Sequence, residues 1–265
     1  MINKKMILVA VVLLAFAGTA NAAQFGHSPI EAGRVMVKDL PTPLAPQSLT
    51  QNVDPATIVS GTSVACVGAA TTDTGWWRLY DLDGFGLSGT FTTSDVDYGV
   101  ETSVGLQNLT CNVYCLDDGL PFLTTFLVLA GSAVQNQPDA DLEFFNIPVV
   151  GACDVATQSM AVELLSDDCQ ETGTCVQLFI GANDLGQTAP AYIAAPDCGI
   201  IDPVDLAAIG FPNSHIIQVI NGNDDTADGG GDGGVPASTG LGMVLMILLL
   251  LGSSAWFLRR QATNN

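Results

Sequence analysis

Leu109-Thr110-Cys111-Asn112-Val113-Tyr114-Cys115-Leu116 alternates residue by residue: Leu109, Cys111, Val113 and Cys115 share one face, Thr110, Asn112, Tyr114 and Leu116 the other. Successive side chains of a strand point to opposite faces, so this period of two marks a half-buried β-strand. Runs of similar character lie around it: Trp76 to Leu82, Val96 to Val104, Phe122 to Val134, Leu142 to Val150, Met160 to Leu165, Cys175 to Ile180 and His215 to Ile220. Clusters of Gly, Asp, Asn and Pro separate them, and no amphipathic helix of useful length intervenes beyond a turn at Pro203 to Ile209. About eight strands at short spacing predict an all-β fold, a single antiparallel β-sandwich with a jelly-roll-like course.

The sandwich is expected over residues 59–221. Before it, residues 23–58 read as an extended, Pro-rich tether, because Pro41-Thr42-Pro43 and Pro46 break regular structure. After it, residues 222–234 form an Asp/Gly-rich linker.

Each end of the chain is apolar with cations on one flank. Lys4 and Lys5 precede an apolar run from Met6 to Ala17, and Ala20-Asn21-Ala22 follows. These are the three parts of a secretory signal, residues 1–22, with Ala20 and Ala22 forming the cleavage site and Ala23 the mature N-terminus. Signal peptidase is the implied partner. Leu241 to Leu258 is uncharged and ends at Arg259-Arg260. A helix of that length, with its flanks, just crosses a hydrocarbon core of about 30 Å, with the arginines on the cytoplasmic side. The expected location is therefore exported, anchored in the membrane at least transiently, then at the cell surface or outside.

Val235-Pro236-Ala237-Ser238-Thr239-Gly240-Leu241-Gly242, followed by one apolar span and two arginines, resembles the C-terminal sorting tails of Gram-negative bacteria. In the IPTL-type pattern Ile-Pro-Thr-Leu-Ser-Glu-Trp-Gly, the residues Val235, Pro236 and Gly242 are in register with Ile, Pro and the last Gly. Ala237, Ser238 and Leu241 depart from it, and the PEP-type and Gly-Gly-type tails are near relatives. The resemblance, which covers residues 235–265, implies a membrane sorting protease that cuts near the motif. Trp77-Arg78-Leu79-Tyr80-Asp81-Leu82, Tyr98-Gly99-Val100-Glu101, Phe179-Ile180-Gly181-Ala182-Asn183 and the run from Gln187 to Gly199 resemble an uncharacterised β-sandwich module of secreted bacterial proteins. That resemblance implies fold and location and brings no catalytic residues.

The chain holds 27 Asp plus Glu against 7 Lys plus Arg, and only Arg34, Lys38 and Arg78 of those cations lie outside the end segments. A field of that sign repels nucleic acid and anionic lipid and suits a soluble exterior surface. The 7 cysteines, in a chain read as exported, point to disulfides. Cys169 and Cys175 flank a polar turn and are an expected pair. Cys66 and Cys198 flank the globular part and are expected to tie its start to its end. Cys111 and Cys115 lie too far apart along a regular strand, about 13 Å, to join each other, so each needs an outside partner, with Cys153 the candidate for one of them. One cysteine is left over.

Each chemical reading has a plainer competitor. Asp81-Leu82-Asp83-Gly84-Phe85-Gly86 is half of a calcium loop, or a strand end and a glycine turn. No cofactor is expected and no metal site; Asp224, Asp225, Asp228 and Asp232 in the linker allow weak calcium binding at most. Trp76 and Trp77 must face opposite ways in a strand, so one fills the core while the other, with Tyr192, can form a ligand face for a glycan. Arg78 is expected to pair with Asp81, Glu101 or Asp197. His27 falls in the tether and His215 in a strand, so neither is positioned for a Ser-His-Asp site. The resulting expectation is a non-catalytic surface or matrix protein, with a carbohydrate-binding module as the alternative and a hydrolase as the second.

Overall fold

A computed structural model describes residues 23–38, 47–166, 168–169 and 175–225, with backbone alone at 175–176. The signal segment, the sorting tail and most of the Asp/Gly linker lie outside the described residues. In chain order the strands are β1 (Gln24–His27), β2 (Val35–Val37), β3 (Gln47–Thr50), β4 (Thr57–Val59), β5 (Val64–Val67) and β6 (Gly75–Tyr80). Next come β7 (Thr90–Gly105), β8 (Gln107–Asp117), β9 (Val128–Gln137), β10 (Ala140–Pro148), β11 (Ala152–Asp154) and β12 (Gln158–Ser166). The last are β13 (Cys175–Ile180), β14 (Ala182–Asn183), β15 (Ala191–Ala195), β16 (Ile200–Asp205), β17 (His215–Ile216) and β18 (Gln218–Asp224).

Two six-stranded sheets carry the architecture. One has the order β10-β7-β18-β3, with β11 and β13 also pairing to the long β7; the other runs β16-β15-β6-β12-β8-β9. Every strand pairing among the described residues is antiparallel. The chain is all-β and sandwich-like. Phe91, Val96, Tyr98 and Val100 of β7 share a single hydrophobic cluster with Trp76 and Tyr80 of β6, Cys111 and Val113 of β8 and Met160, Val162 and Leu164 of β12. The alternation read at Leu109 to Leu116 places Leu109, Cys111, Val113 and Cys115 in that cluster. Among the described residues no helix is long and apolar enough to cross a membrane.

The expected tether is corrected by the structure. β1 pairs with β5, β2 with β4, and β3 extends the first sheet beside β18. Among the described residues this segment's short runs form two small two-stranded pairings and one edge strand of the first sheet. Charge helps to hold it. Arg34 grips Asp141 of β10 through both guanidinium nitrogens, at 2.9 and 2.8 Å, and Lys38 lies 3.6 Å from Asp97 of β7. Glu101 of β7, fully buried, accepts the backbone N–H groups of Gly61 (2.6 Å) and Ser63 (2.9 Å), which fixes the turn between β4 and β5.

Other boundaries shift for local reasons. The expected strand Phe122 to Val134 begins only at Val128, because Thr124–Phe126 forms a 3-10 turn. The expected turn from Pro203 falls partly in β16, an edge strand, where a missing N–H costs no ladder bond. β18 continues to Asp224, three residues past the expected domain end, because Asp224 is held by Gln47 and by the N–H of Ser88.

Cys66 in β5 is joined to Cys198, 132 residues away, and Cys115 in β8 to Cys153 in β11. Cys111 is free and buried. Cys169 is also disulfide-bonded, while the side chain of Cys175, its expected partner, lies outside the described residues. Closing a loop of that length removes unfolded-state entropy. Serine at both Cys66 and Cys198 is therefore expected to lower the unfolding free energy by about 3–5 kcal/mol, read from urea denaturation. A loss below about 1 kcal/mol would mean that the sheets alone hold this corner.

Candidate functional site

The outer face of the second sheet holds the densest group of functional side chains. Register aligns them in one row across five strands: Tyr192 of β15 opposite Trp77 of β6, Trp77 opposite Glu163 of β12, Glu163 opposite Asn112 of β8, and Asn112 opposite Ser132 of β9. Hydrogen bonds run along it. Ser132 Oγ donates to Asn112 Oδ1 at 2.7 Å, and Asn112 Nδ2 donates to Glu163 Oε2 at 2.8 Å. The hydroxyl of Tyr114, one pleat further along β8, donates to the same Oε2 at 3.2 Å.

The row is covered. Trp77 stacks on Tyr114 with ring centres 5.4 Å apart, and Phe122 meets both Trp77 and Tyr192 edge-on at 5.9 and 4.9 Å. Phe122 belongs to the connection between β8 and β9, which crosses this face and is pinned to the far edge strand. There Asp202 of β16 accepts the Thr124 N–H at 2.9 Å and its hydroxyl at 2.6 Å. Trp77 is consequently 2% exposed, and Trp76 lies in the inner cluster. The second Trp does face the opposite way, and the crossing segment closes over it, so Trp77 does not present an open ligand face. Tyr192 remains half-buried at its margin.

Beneath the aromatic cover is a polar notch. The indole N–H of Trp77 is buried without an acceptor among the described residues. A Cβ placed on Gly75 would come within 2.6 Å of Glu163 Oε1 and 2.7 Å of Trp77 Nε1, so only glycine leaves that notch open. Burial drives the Glu163 pKa up to about 7, opposed by the hydrogen bonds from Asn112 and Tyr114. Burial and the neighbouring carboxylate also raise the Tyr114 hydroxyl above its usual range. A carboxyl group that exchanges its proton near neutrality can act as an acid or base, but no second carboxylate joins this row.

Arg78 faces the other way from Trp77 and is fully buried. The expected ion pair with Asp81, Glu101 or Asp197 does not form. Its Nε and Nη2 donate to the carbonyl of Ile216, at 3.0 and 2.5 Å, and Nη2 also reaches Asn52 Oδ1 at 3.4 Å. Its Nη1 donates to Gln187 Oε1 at 2.8 Å and to the Ala189 carbonyl at 3.1 Å. Each acceptor is neutral, because this position sits inside the molecule while the candidate acids are engaged elsewhere: Asp81 and Asp197 lie near the surface, and Glu101 of β7 holds the turn after β4. Loss of solvation lowers the guanidinium pKa to about 10.

A separate cavity of about 300 Å³ is lined by His27, Thr62, Asp184, Phe211, Asn213 and Ser214, among others. His27, expected in a tether, is held there by the pairing of β1 with β5 and by an edge-on contact with Phe211 at 5.2 Å. Ser214 Oγ is buried without a hydrogen-bond partner among the described residues. No hydrogen bond joins His27, Ser214 and Asp184 to one another among the described residues, so the residue types of a nucleophilic triad are present without its relay. His215 is turned away: its Nδ1 accepts the Gly186 N–H at 3.1 Å, and burial lowers its pKa. Asp83 begins a 3-10 turn (Asp83–Phe85) two residues after Asp81, and the turn ends at Gly86, whose φ of 73° favours glycine. Among the described residues no group of three or more His, Cys, Asp or Glu could hold a metal ion.

The Glu163 notch predicts a pH signature. A carboxyl with a folded pKa of about 7 against 4.5 when exposed favours the folded state fully below 4.5 and loses that contribution as pH rises through 7. Glu163→Gln keeps the acceptor for Asn112 and removes the ionisation. Relative to wild type it is expected to gain roughly 1–3 kcal/mol at pH 8 over its value at pH 4.5, measured by urea denaturation; equal pH dependence of the two proteins would refute a proton on Glu163. Arg78→Met is expected to cost roughly 3 kcal/mol or more at any pH between 5 and 9, because it strands several buried acceptors together. No family model, curated protein or solved structure matches this chain.

Proposed function

We propose that this chain is an exported, non-catalytic protein of the cell surface or extracellular matrix that displays an acidic, disulfide-stapled β-sandwich with a jelly-roll-like course. Export proceeds through the Sec route. Signal peptidase cuts between Ala22 and Ala23, the apolar tail from Leu241 to Leu258 arrests in the membrane, and a sorting protease acts near Val235-Pro236 and Gly242, with Arg259 and Arg260 held on the cytoplasmic side.

The observation that carries this reading is the pair of disulfides, Cys66–Cys198 and Cys115–Cys153. Cys66, Cys115 and Cys153 are buried and Cys198 is partly so, and such bonds persist in oxidising compartments outside the cytoplasm. The acidic composition supports the same reading, since 27 carboxylates favour solubility in an exterior setting.

The test is fractionation of a Gram-negative host that expresses the full chain, with thiol alkylation before lysis. The expected product starts at Ala23, lies outside the cytoplasm and has a single alkylatable thiol once unfolded. Removal of residues 2–22 is expected to retain reduced protein in the cytoplasm. Recovery of uncleaved, reduced full chain from the cytoplasm of cells that carry the intact signal would overturn the reading.

A further inference from the structure

An open sheet edge presents unpaired N–H and C=O groups to any other strand, and proteins usually guard it with charge, proline or brevity. Of the four strands that end the main paths of the two large sheets, three are guarded; β11 and β13 pair beside β7 off those paths. β16 carries Asp202, Pro203 and Asp205; β10 carries Asp141, Glu143 and Pro148; β3 is four residues long. The fourth, β9, has ten residues, Val-Leu-Ala-Gly-Ser-Ala-Val-Gln-Asn-Gln, with neither charge nor proline. Among the described residues it pairs only with β8. Val128, Leu129 and Val134 on it are 63%, 56% and 64% exposed.

The charge pattern identifies the occupant. Between Glu101 and Asp139 the only charged residues are Asp117 and Asp118, and these sit at the turn end of the β8–β9 pair. A strongly cationic partner would be drawn to the many carboxylates elsewhere, and an acidic one repelled by them. A strand that matches β9 must be neutral, extended and apolar on alternate positions. β9 itself meets that description, and antiparallel pairing of two identical edges is the self-complementary contact of a two-fold dimer. We propose that β9 is a homodimerisation edge, on which two copies of this chain pair β9 against β9 into one continuous twelve-stranded sheet. This does not depend on the route by which the chain is exported. The rest of each copy is acidic and repels its mate, so the dimer strengthens as salt screens that repulsion.

The test uses the full chain in a non-ionic detergent, with mass measured by analytical ultracentrifugation at low and high salt. Wild type is expected to shift from largely monomer at 20 mM NaCl to largely dimer at 500 mM NaCl, at a fixed concentration of about 50 μM. The double substitution Leu129→Asp/Val134→Asp places carboxylates on exposed positions of the edge and is expected to leave a monomer at both salts with the melting temperature of wild type. Ile201→Asp, an exposed position on the guarded edge β16, is expected to dimerise as wild type does. A single cysteine at Ser132, an exposed position in the middle of β9, is expected to form an intermolecular disulfide in the dimer. A monomer at both salts would overturn the proposal, as would protection of the outward β9 amides from exchange in that monomer. So would a dimer that survives the double substitution, since another surface or the apolar tail would then be its seat.

Discussion

A buried positive charge with no negative partner organises this molecule. Arg78 stands near the middle of β6, inside the second sheet, and each of its five N–H groups reaches a neutral oxygen. Such a charge is stable only if every donor is satisfied, so the acceptors must all arrive together. They come from distant places: Asn52 beyond β3, Gln187 and Ala189 before β15, and Ile216 in β17. Asn52 in turn donates to the carbonyl of His215 at 3.1 Å. The guanidinium therefore specifies how the segments before the last strands of the chain lie against the sheet, and Gln218 closes the set by donating to the carbonyl of Trp76 at 3.2 Å.

Around that centre the strand period separates two environments. Along β6, Trp76, Arg78 and Tyr80 enter the shared interior while Gly75, Trp77 and Leu79 face outward. The outward set would be solvent-facing in a bare sheet. Here the β8–β9 connection crosses it, and Asp202 fastens that crossing at the far edge. The cover desolvates Glu163 and turns an ordinary surface row into a second, smaller core with a titrating group at its base. Tyr98 gives a comparable link between the sheets: its hydroxyl donates to Gln137 Oε1 at 2.9 Å and accepts from Gln135, both at the end of β9.

What the sequence made legible follows from range. Periodicity is local, and the alternation at Leu109 to Leu116 and the opposed faces of Trp76 and Trp77 are read directly from neighbours. The strands β1 to β5 escape such reading because each is four residues or fewer and stands among prolines, glycines and polar residues. They exist through partners elsewhere in the chain, such as Val219 and Ile220 for β3 and Asp141 for Arg34. Arg78 was legible as an isolated cation, but its acceptors are backbone carbonyls and amides, which carry no mark in the sequence. The burial of Trp77 was equally hidden, because it depends on the β8–β9 connection, with Phe122, crossing the sheet to Asp202. Glu163 stands in a run of apolar residues, Met160 to Leu165, and a lone acid there is the one signal that could have pointed to the notch.

The bond between Cys66 and Cys198 has a bearing on endurance. It encloses the crossing segment before β9, the Gly-rich turns after β6 and the loop that carries Gln187. A protease that severs any of these exposed stretches once leaves both pieces covalently attached, each still laddered into the same sheets. Such a nick would appear on a reducing gel while the particle kept its mass in solution, so a single cut leaves the molecule in one piece.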